Sequence, residues 1–332
     1  MYQVGVDIGG TNIAMGLVDE ALEVVQRESM PFEIKGGGER TAEIIHEGTL
    51  AMLKRQGAEI IHEGTLAMLK RQGAGLYDLD SVGVVVPGSI DPTGSVVINA
   101  YNLNFHNEPL KARIQKQFGD IPVFLANDAD GAALAELHKG AFVGCRTAVL
   151  FTLGTGVGGG LILGGRMFHG GLGNGCELGH ALLVSGGEQC TCGNKGCIEA
   201  YCSATAIIRD AIRAMEKHPD SLLFERTMGR PESMDAKTAI DCAREGDRAA
   251  LEVFHNYVDH LGSAVASMIN LLDCERVAIG GGVSAAGEFL FEPLRKNVHA
   301  KSFFENHGSV VPAVMGNDAG IIGAAMLRRN EE

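Results

Sequence analysis

The chain has 332 residues and a formal charge of −13 at pH 7, with no basic surplus to meet a nucleic acid. Its length exceeds what one hydrophobic core usually serves, so two domains are expected, and no apolar run approaches the ~20 residues of a membrane helix. The start, MYQVGVDIGG, has neither the basic opening nor the cleavable apolar segment of an export signal, which points to the cytoplasm.

Residues 3–8 read as an apolar strand, Gly9, Gly10, Thr11 and Asn12 as a turn, and residues 13–18 as a returning strand. The glycines let backbone N–H groups approach an anion, Thr11 and Asn12 add side-chain donors, and Asp7 at the strand end suits a hydrated Mg2+. A plain hairpin turn would have the same composition. Residues 42–57 (AEIIHEGTLAMLKRQG) then recur unchanged at 58–73. Two units are too few for a solenoid. Each copy is amphipathic, and about 16 residues at ~100° each turn the second apolar stripe ~160° from the first in a continuous helix. A break at Gly57 is therefore expected, with one copy in the native seat and the other protruding.

Residues 81–86 form a β-branched apolar strand that stops at Pro87 and Gly88. Asn102 follows in a polar loop, where its amide faces a ligand or caps the next helix. A further strand over 122–125 leads into Asn127, Asp128, Ala129 and Asp130, then a helix over 132–139. A carboxylate there is either a helix cap or, beside an amide that orients a hydroxyl, a general base.

Residues 147–153 form a strand, and GTGVGGG over 154–160 leads into an apolar triplet. Gly154, Gly156 and Gly159 match G-x-G-x-x-G, but a dinucleotide loop must open a helix, and the glycines at 164 and 165 bracket the triplet as a hairpin strand. A nicotinamide enzyme would require a helix after Gly160. No G-x-x-x-x-G-K-[ST] occurs, which excludes a P-loop NTPase. The chain thus holds two hairpins with Gly and Thr at the bend, over 7–12 and 152–160, each starting one half. Farther on, residues 276–279 run into a turn where Gly281 and Gly282 admit an adenine or ribose, or merely pack tightly.

The densest chemistry lies in ELGHALLVSGGEQCTCGNKGCIE, residues 177–199. His180, Cys190, Cys192 and Cys197 make a Cys3His set that closes a tetrahedral structural Zn2+ site with no position left for water. The residues between the cysteines offer almost no apolar surface, so a metal is what would hold the loop. Buried cysteines or a disulfide are the alternatives, disfavoured in a reducing compartment. Glu177 and Glu199 flank the ligands, either as site groups or as solvated surface.

In this order and over nearly the whole chain, DIGGTN, PG at 87, NDAD at 127, TLGTGVGGG, ELGH, CTCGNKGCIEA, IGGGVS and NDAGIIGAA resemble the ROK family of bacterial sugar kinases and repressors. The resemblance implies an α/β actin-like ATPase (ribonuclease H-like) fold, with two lobes around a nucleotide and sugar cleft. The small lobe would span 1–118, joined by a C-terminal helix over 317–332, and the large lobe 119–316 would hold the zinc site. It implies ATP-dependent phosphorylation of a hexose, glucose first, with fructose, N-acetylmannosamine and N-acetylglucosamine as alternatives. Asp128 becomes the general base, and Asn102, Asn127, Asp128, Glu177, His180 and Glu199 hold the sugar. His180 would give one ring nitrogen to zinc and the other to the sugar. Gly9, Gly10, Thr11, Asn12, Thr152, Gly154, Thr155, Gly156, Gly281 and Gly282 match the loops that hold ATP, remote from the zinc knot, with Mg2+ near Asp7. A homodimer or higher homo-oligomer is implied.

Two residues depart from the family pattern. Asp130 stands where Asn is common, and a second carboxylate there is expected to raise the pKa of the base. Gln189 precedes the first cysteine without expected harm. The non-catalytic, sugar-sensing repressor branch carries a DNA-binding domain before the kinase-like part, and a first strand at residue 3 argues against it.

Overall fold

The computed structural model describes residues 1–63, 79–172 and 175–331. In chain order the elements are β1 (Tyr2–Ile8), β2 (Asn12–Val18), β3 (Val24–Pro31), α1 (Gly37–Glu63), β4 (Leu79–Val86), β5 (Ser89–Ile90), β6 (Val97–Ala100), β7 (Phe105–Glu108), α2 (Leu110–Phe118), β8 (Val123–Asn127), α3 (Asp128–Lys139), β9 (Ala148–Leu153), β10 (Val157–Leu163) and β11 (Arg166–Met167). There follow α4 (Glu199–Cys202), α5 (Ala204–Lys217), α6 (Leu222–Thr227), α7 (Ala236–Arg244), α8 (Arg248–Leu272), β12 (Arg276–Gly280), α9 (Glu288–Lys301), β13 (Ser309–Pro312) and α10 (Ala319–Glu331). They sort into two compact units: Met1–Val143 with Arg166–Gly175 and Asn317–Glu332, and Gly144–Gly165 with Cys176–Gly316. The sequence placed the division at 118; β8 pairs with β4, which keeps residues 123–127 in the first sheet.

In the first unit the strands run β3-β2-β1-β4-β8. β1 and β2 form an antiparallel hairpin, while β4 and β8 extend the sheet in parallel. Side chains alternate across β1, so Val4, Val6 and Ile8 are buried together with Ile44, Ile45, Met52 and Leu53 of α1. On the other face, backbone is bared at Gly5 of β1 and Gly83 of β4. A Cβ on Gly5 would overlap the carbonyl of Ile321, and one on Gly83 that of Ala324, so α10 lies directly on the main chain of β1 and β4. Gly323 of α10 meets the carbonyl of Gly131 in α3 in the same way.

The second unit repeats the plan. β10 is antiparallel to β9, and β12 and β13 extend in parallel. Val149, Phe151 and Leu153 share a buried core with residues of α5, α7, α8 and α9, such as Ile207, Ile240, Leu261 and Leu290. β10 continues as strand through Gly158, Gly159 and Gly160 to Leu163, so no helix opens after the glycines and the dinucleotide reading fails. Among the described residues no helix is long and apolar enough to cross a membrane.

The duplicated segment is settled in part. The first copy occupies the seat against the sheet, with Ile44, Ile45, Met52 and Leu53 at most 1% exposed. The expected break at Gly57 does not occur, because α1 runs on to Glu63. A glycine inside a helix costs only about 1 kcal/mol, which cooperative propagation from a well-packed first copy absorbs. The expected protrusion of the second copy falls on residues that lie largely outside those described. Since the first copy already supplies a buried face, a variant lacking residues 58–73 is expected to keep the parent's melting temperature to within a few degrees; a large loss in a thermal melt would show that the second copy is needed.

Candidate active site

The functional residues gather in two groups, one in each unit. In the first, the β1–β2 turn is closed by the Gly9 N–H donating to Asn12 O, while Thr11 O accepts from Phe32 N. The carbonyls are thereby engaged, and Gly10, Thr11 and Asn12 stand exposed at the tip. Asn12 donates its amide to Ser29 Oγ at 3.2 Å, so it braces β2 against β3. Asn102, on the short turn after β6, sits beside Gly10: a Cβ there would lie 3.7 Å from the Asn102 amide nitrogen.

Asp7 ends β1 at the start of α10, where a Cβ on Gly320 would overlap its carboxylate. This acid is pushed up to about 6, first by burial and then by the charge of Asp128. Asp128 opens α3 and retains solvent-accessible surface, in a recess deep enough that desolvation raises its carboxyl above the usual range against the bonds from backbone N–H groups. Its Oδ1 accepts from Ala129 N at 2.9 Å. The capping role belongs to Asn127, whose Oδ1 accepts from Ala129 N at 2.8 Å and whose amide donates to Gly88 O at 2.9 Å. One residue thus caps α3 and ties down the PG turn, and Asp128 only shares the Ala129 N–H that Asn127 already holds. The charge of Asp128 acts in turn on Asp7. Asp130 is not among the causes of the raised Asp128 pKa; it is buried with an oxygen 3.9 Å from His169 Nδ1. Two recessed carboxylates that repel each other suit a divalent cation, which fits Mg2+ at this position.

In the second unit the metal set has assembled. The ligand atoms of His180, Cys190, Cys192 and Cys197 all lie within 4.8 Å of one another. Cys192 Sγ and Cys197 Sγ are 3.7 Å apart, and Cys190 Sγ is 3.6 Å from His180 Nδ1. Tetrahedral zinc with its ordinary bond lengths requires ~3.8 Å between sulfurs and ~3.6 Å between sulfur and nitrogen. The set fits zinc and is not a disulfide. Cys197 is pushed up to about 12, by burial and then by hydrogen bonds with Cys190 and Cys192, which is how crowded thiols behave until a dication holds them ionised. Gln189 helps: its amide donates to Cys190 O and Asn194 O.

Around this knot, the main chain of Val157 is a crossing point. Gly179 of the ELGH turn lies against the Val157 carbonyl, which is why no side chain fits there. The Val157 N–H donates to Glu199 Oε2 at 3.1 Å, and Gly156 is pressed against the same carboxylate. The other oxygen, Oε1, accepts from Thr191 Oγ1 at 2.6 Å. The glycine turn is therefore joined to the knot, contrary to the expected separation. From the other side, Ala204 N at the start of α5 donates to Gly154 O, and Thr205 Oγ1 donates to Thr155 O at 2.7 Å. The Gly154 N–H closes the turn on Gly156 O, and Thr152 pairs with Gly158 and Gly280. Gly281 has φ +81° and packs on the Leu153 backbone, whereas Gly282 faces open space. Glu177 is exposed, and its carbonyl accepts from His180 N in the short helix that carries the histidine. Sequence reasoning missed Thr191, Val157, Thr205 and Gly320. Only the repeat of glycine beside acid in the last motif could have signalled Gly320.

Two sheets built to one plan, each a hairpin with a glycine turn continued by parallel strands, define an actin-like ATPase fold of the α/β class. Within that class the chain belongs to the ROK family, whose sequence pattern matches residues 3–331. It is 38% identical over 327 residues to a glucokinase of Thermotoga maritima, across 98% of this chain and 96% of that one. It is similar to the solved structure of a ROK family glucokinase from Streptomyces griseus in complex with glucose and AMPPNP, at TM-score 0.77 and 30% identity over 99% of this chain and all of the other. It is likewise similar to a ROK hexokinase from Thermus thermophilus, at TM-score 0.78 and 31% identity over 98% and 97% of the two chains.

Asp7 carries a pH signature. Its folded value of about 6 lies above the ordinary 3.8, so its contribution to stability is full below 3.8 and is lost as pH rises through 6. The difference corresponds to about 3 kcal/mol. With a chelator present, Asp7→Asn is expected to melt higher than the parent at pH 8 and to lose that advantage at pH 4; equal melting at both values would contradict the assignment.

Proposed function

We propose that the protein is a sugar kinase that phosphorylates a hexose with ATP, glucose foremost. The observation that carries this reading is Asp128: an accessible carboxylate at a strand end, sharing the Ala129 N–H with the capping residue Asn127, beside a second acid suited to a metal ion. Phosphoryl transfer requires positioning and charge neutralisation more than covalent help. Bound Mg2+ would neutralise phosphate charge near Asp7, and zinc on His180, Cys190, Cys192 and Cys197 would hold the sugar-side loops in shape. Asp128 takes the proton from the sugar hydroxyl, whose oxygen then attacks the terminal phosphorus as the bond to ADP breaks. Asn102, Asn127, Glu177, His180 and Glu199 orient the sugar, and His180, with Nδ1 turned to Cys190, keeps Nε2 for a sugar oxygen. The turns at Gly9–Asn12, Thr152–Gly156 and Gly281–Gly282 receive the nucleotide. ATP use and reduced cysteine ligands fit the cytoplasm, and the working form is a homodimer or higher oligomer.

Glucose leads because the relative that is 38% identical across 98% of this chain is a glucokinase, and the similar Streptomyces griseus structure is a glucokinase in complex with glucose. Fructose, N-acetylmannosamine and N-acetylglucosamine offer hydroxyls to the same groups, and a coupled ADP-release assay across the four ranks them. No ADP release with any sugar would overturn the kinase reading. Asp128→Asn is expected to lower kcat by ~10²- to 10⁴-fold without loss of thermal stability. Because the base must be ionised, the parent's rate should fall as pH drops through the raised Asp128 pKa. Cys192→Ser is expected to lower the melting temperature and to raise the KM for ATP as well as for sugar, since Glu199 joins the knot to a glycine turn. A change confined to the sugar KM would deny that link.

A further inference from the structure

The Cys190–Cys197 loop contains one side chain whose role the ligand set does not explain. Thr191 lies between two metal ligands, so any ion that fixes Cys190 and Cys192 also fixes the threonine. Its hydroxyl donates to Glu199 Oε1 at 2.6 Å, a charge-assisted bond of the stronger kind. Glu199 Oε2 in turn accepts from the N–H of Val157, the residue that follows the Gly154–Gly156 turn. Gly156 has no room for a side chain because that carboxylate fills the space. The turn is also held from behind, through Gly154 O and Thr155 O. With its carbonyls tied there and the Val157 N–H committed to Glu199, it presents the backbone between them in one conformation.

We propose that Thr191 is a positioning residue: it orients the Glu199 carboxylate, and through it the Gly154–Gly156 turn, so that a filled metal knot and a shaped phosphate turn are one mechanical unit. The inference rests on the kinase reading for its kinetic consequence, but its structural content does not. A valine at this position keeps the shape of the side chain and removes the donor. Glu199 Oε1 then keeps only its longer contact with Cys190 Sγ at 3.6 Å, one that a metal-held thiolate cannot supply as a donor, and the carboxylate swings about the bond it keeps on Oε2.

The test compares the zinc-loaded parent with Thr191→Val and Thr191→Ser. Metal content per chain is measured first, then hydrogen–deuterium exchange at the Val157 amide, then KM and kcat for glucose and ATP. The expected result is unchanged zinc in all three proteins, faster Val157 exchange in Thr191→Val, and KM values for both substrates raised about three- to ten-fold with kcat changed less. Thr191→Ser, which retains the hydroxyl, should restore both the exchange rate and the KM values. Val157 exchange and KM values in Thr191→Val equal to the parent's would overturn the proposal. So would loss of zinc from that variant, which would make the threonine part of the metal site alone, or failure of serine to restore. If the parent phosphorylates no sugar, the kinase reading falls, and the Val157 exchange alone decides the strap.

Discussion

The layering of the first unit depends on close backbone contacts that glycines permit. α10 rests on β1 and β4 backbone to backbone, and on α3 through Gly323 and Gly131. Each glycine weakens its own strand or helix by roughly 0.5–1 kcal/mol, a loss accepted because any Cβ would push the layers apart. What the close approach secures is position. It sets the first turn of α10 against Asp7, and it holds α3, with Asp128 at its head, close behind β4. The two acids are then both desolvated, a condition that disfavours their charged forms and that a bound cation would relieve.

The second unit solves a different problem. Its functional loops lie outside the core formed by β9, α5 and α8, and a stretch such as Thr191 to Gly196 cannot bury enough apolar surface to order itself. Hydrogen bonds carry part of the load, as in Cys190 N to Asn194 O and Gly196 N to Glu188 O. The clustered His180, Cys190, Cys192 and Cys197 would carry the rest with a metal bound, and because Glu199 and Gly179 both meet the main chain of Val157, order spreads from the knot into the strand.

Local signals were legible in the sequence where chemistry and chain position coincide. The two hairpins followed from apolar runs around glycine turns, and the metal set from a spacing that few other uses of cysteine would produce. The rejection of a dinucleotide loop held because glycines bracketing a short apolar triplet do not start a helix. What could not be read were relations between distant segments. Asp7 and Asp128 come under each other's influence only once β1, β4 and β8 are aligned, so the charge of Asp128 acting on Asp7 had no local trace, and the raised pKa expected at Asp128 traces to burial. The bond from Glu199 to Val157 spans a stretch with no local trace of it. Gly57 was over-read: a helix whose apolar face is already docked does not stop at a residue that merely permits stopping.

The place of α10 has a consequence for how the chain is made. The second unit is built from a nearly continuous stretch, Gly144–Gly165 and Cys176–Gly316, and has all its strands once residue 316 has left the ribosome. The first sheet emerges earlier but waits for its covering layer. At ~5–20 residues per second the gap between α3 and α10 corresponds to roughly ten to forty seconds of synthesis. During that interval Gly5 and Gly83 present naked strand backbone. The half of the molecule that is translated first is thus finished last, and the nascent chain is expected to need a chaperone until the final helix arrives.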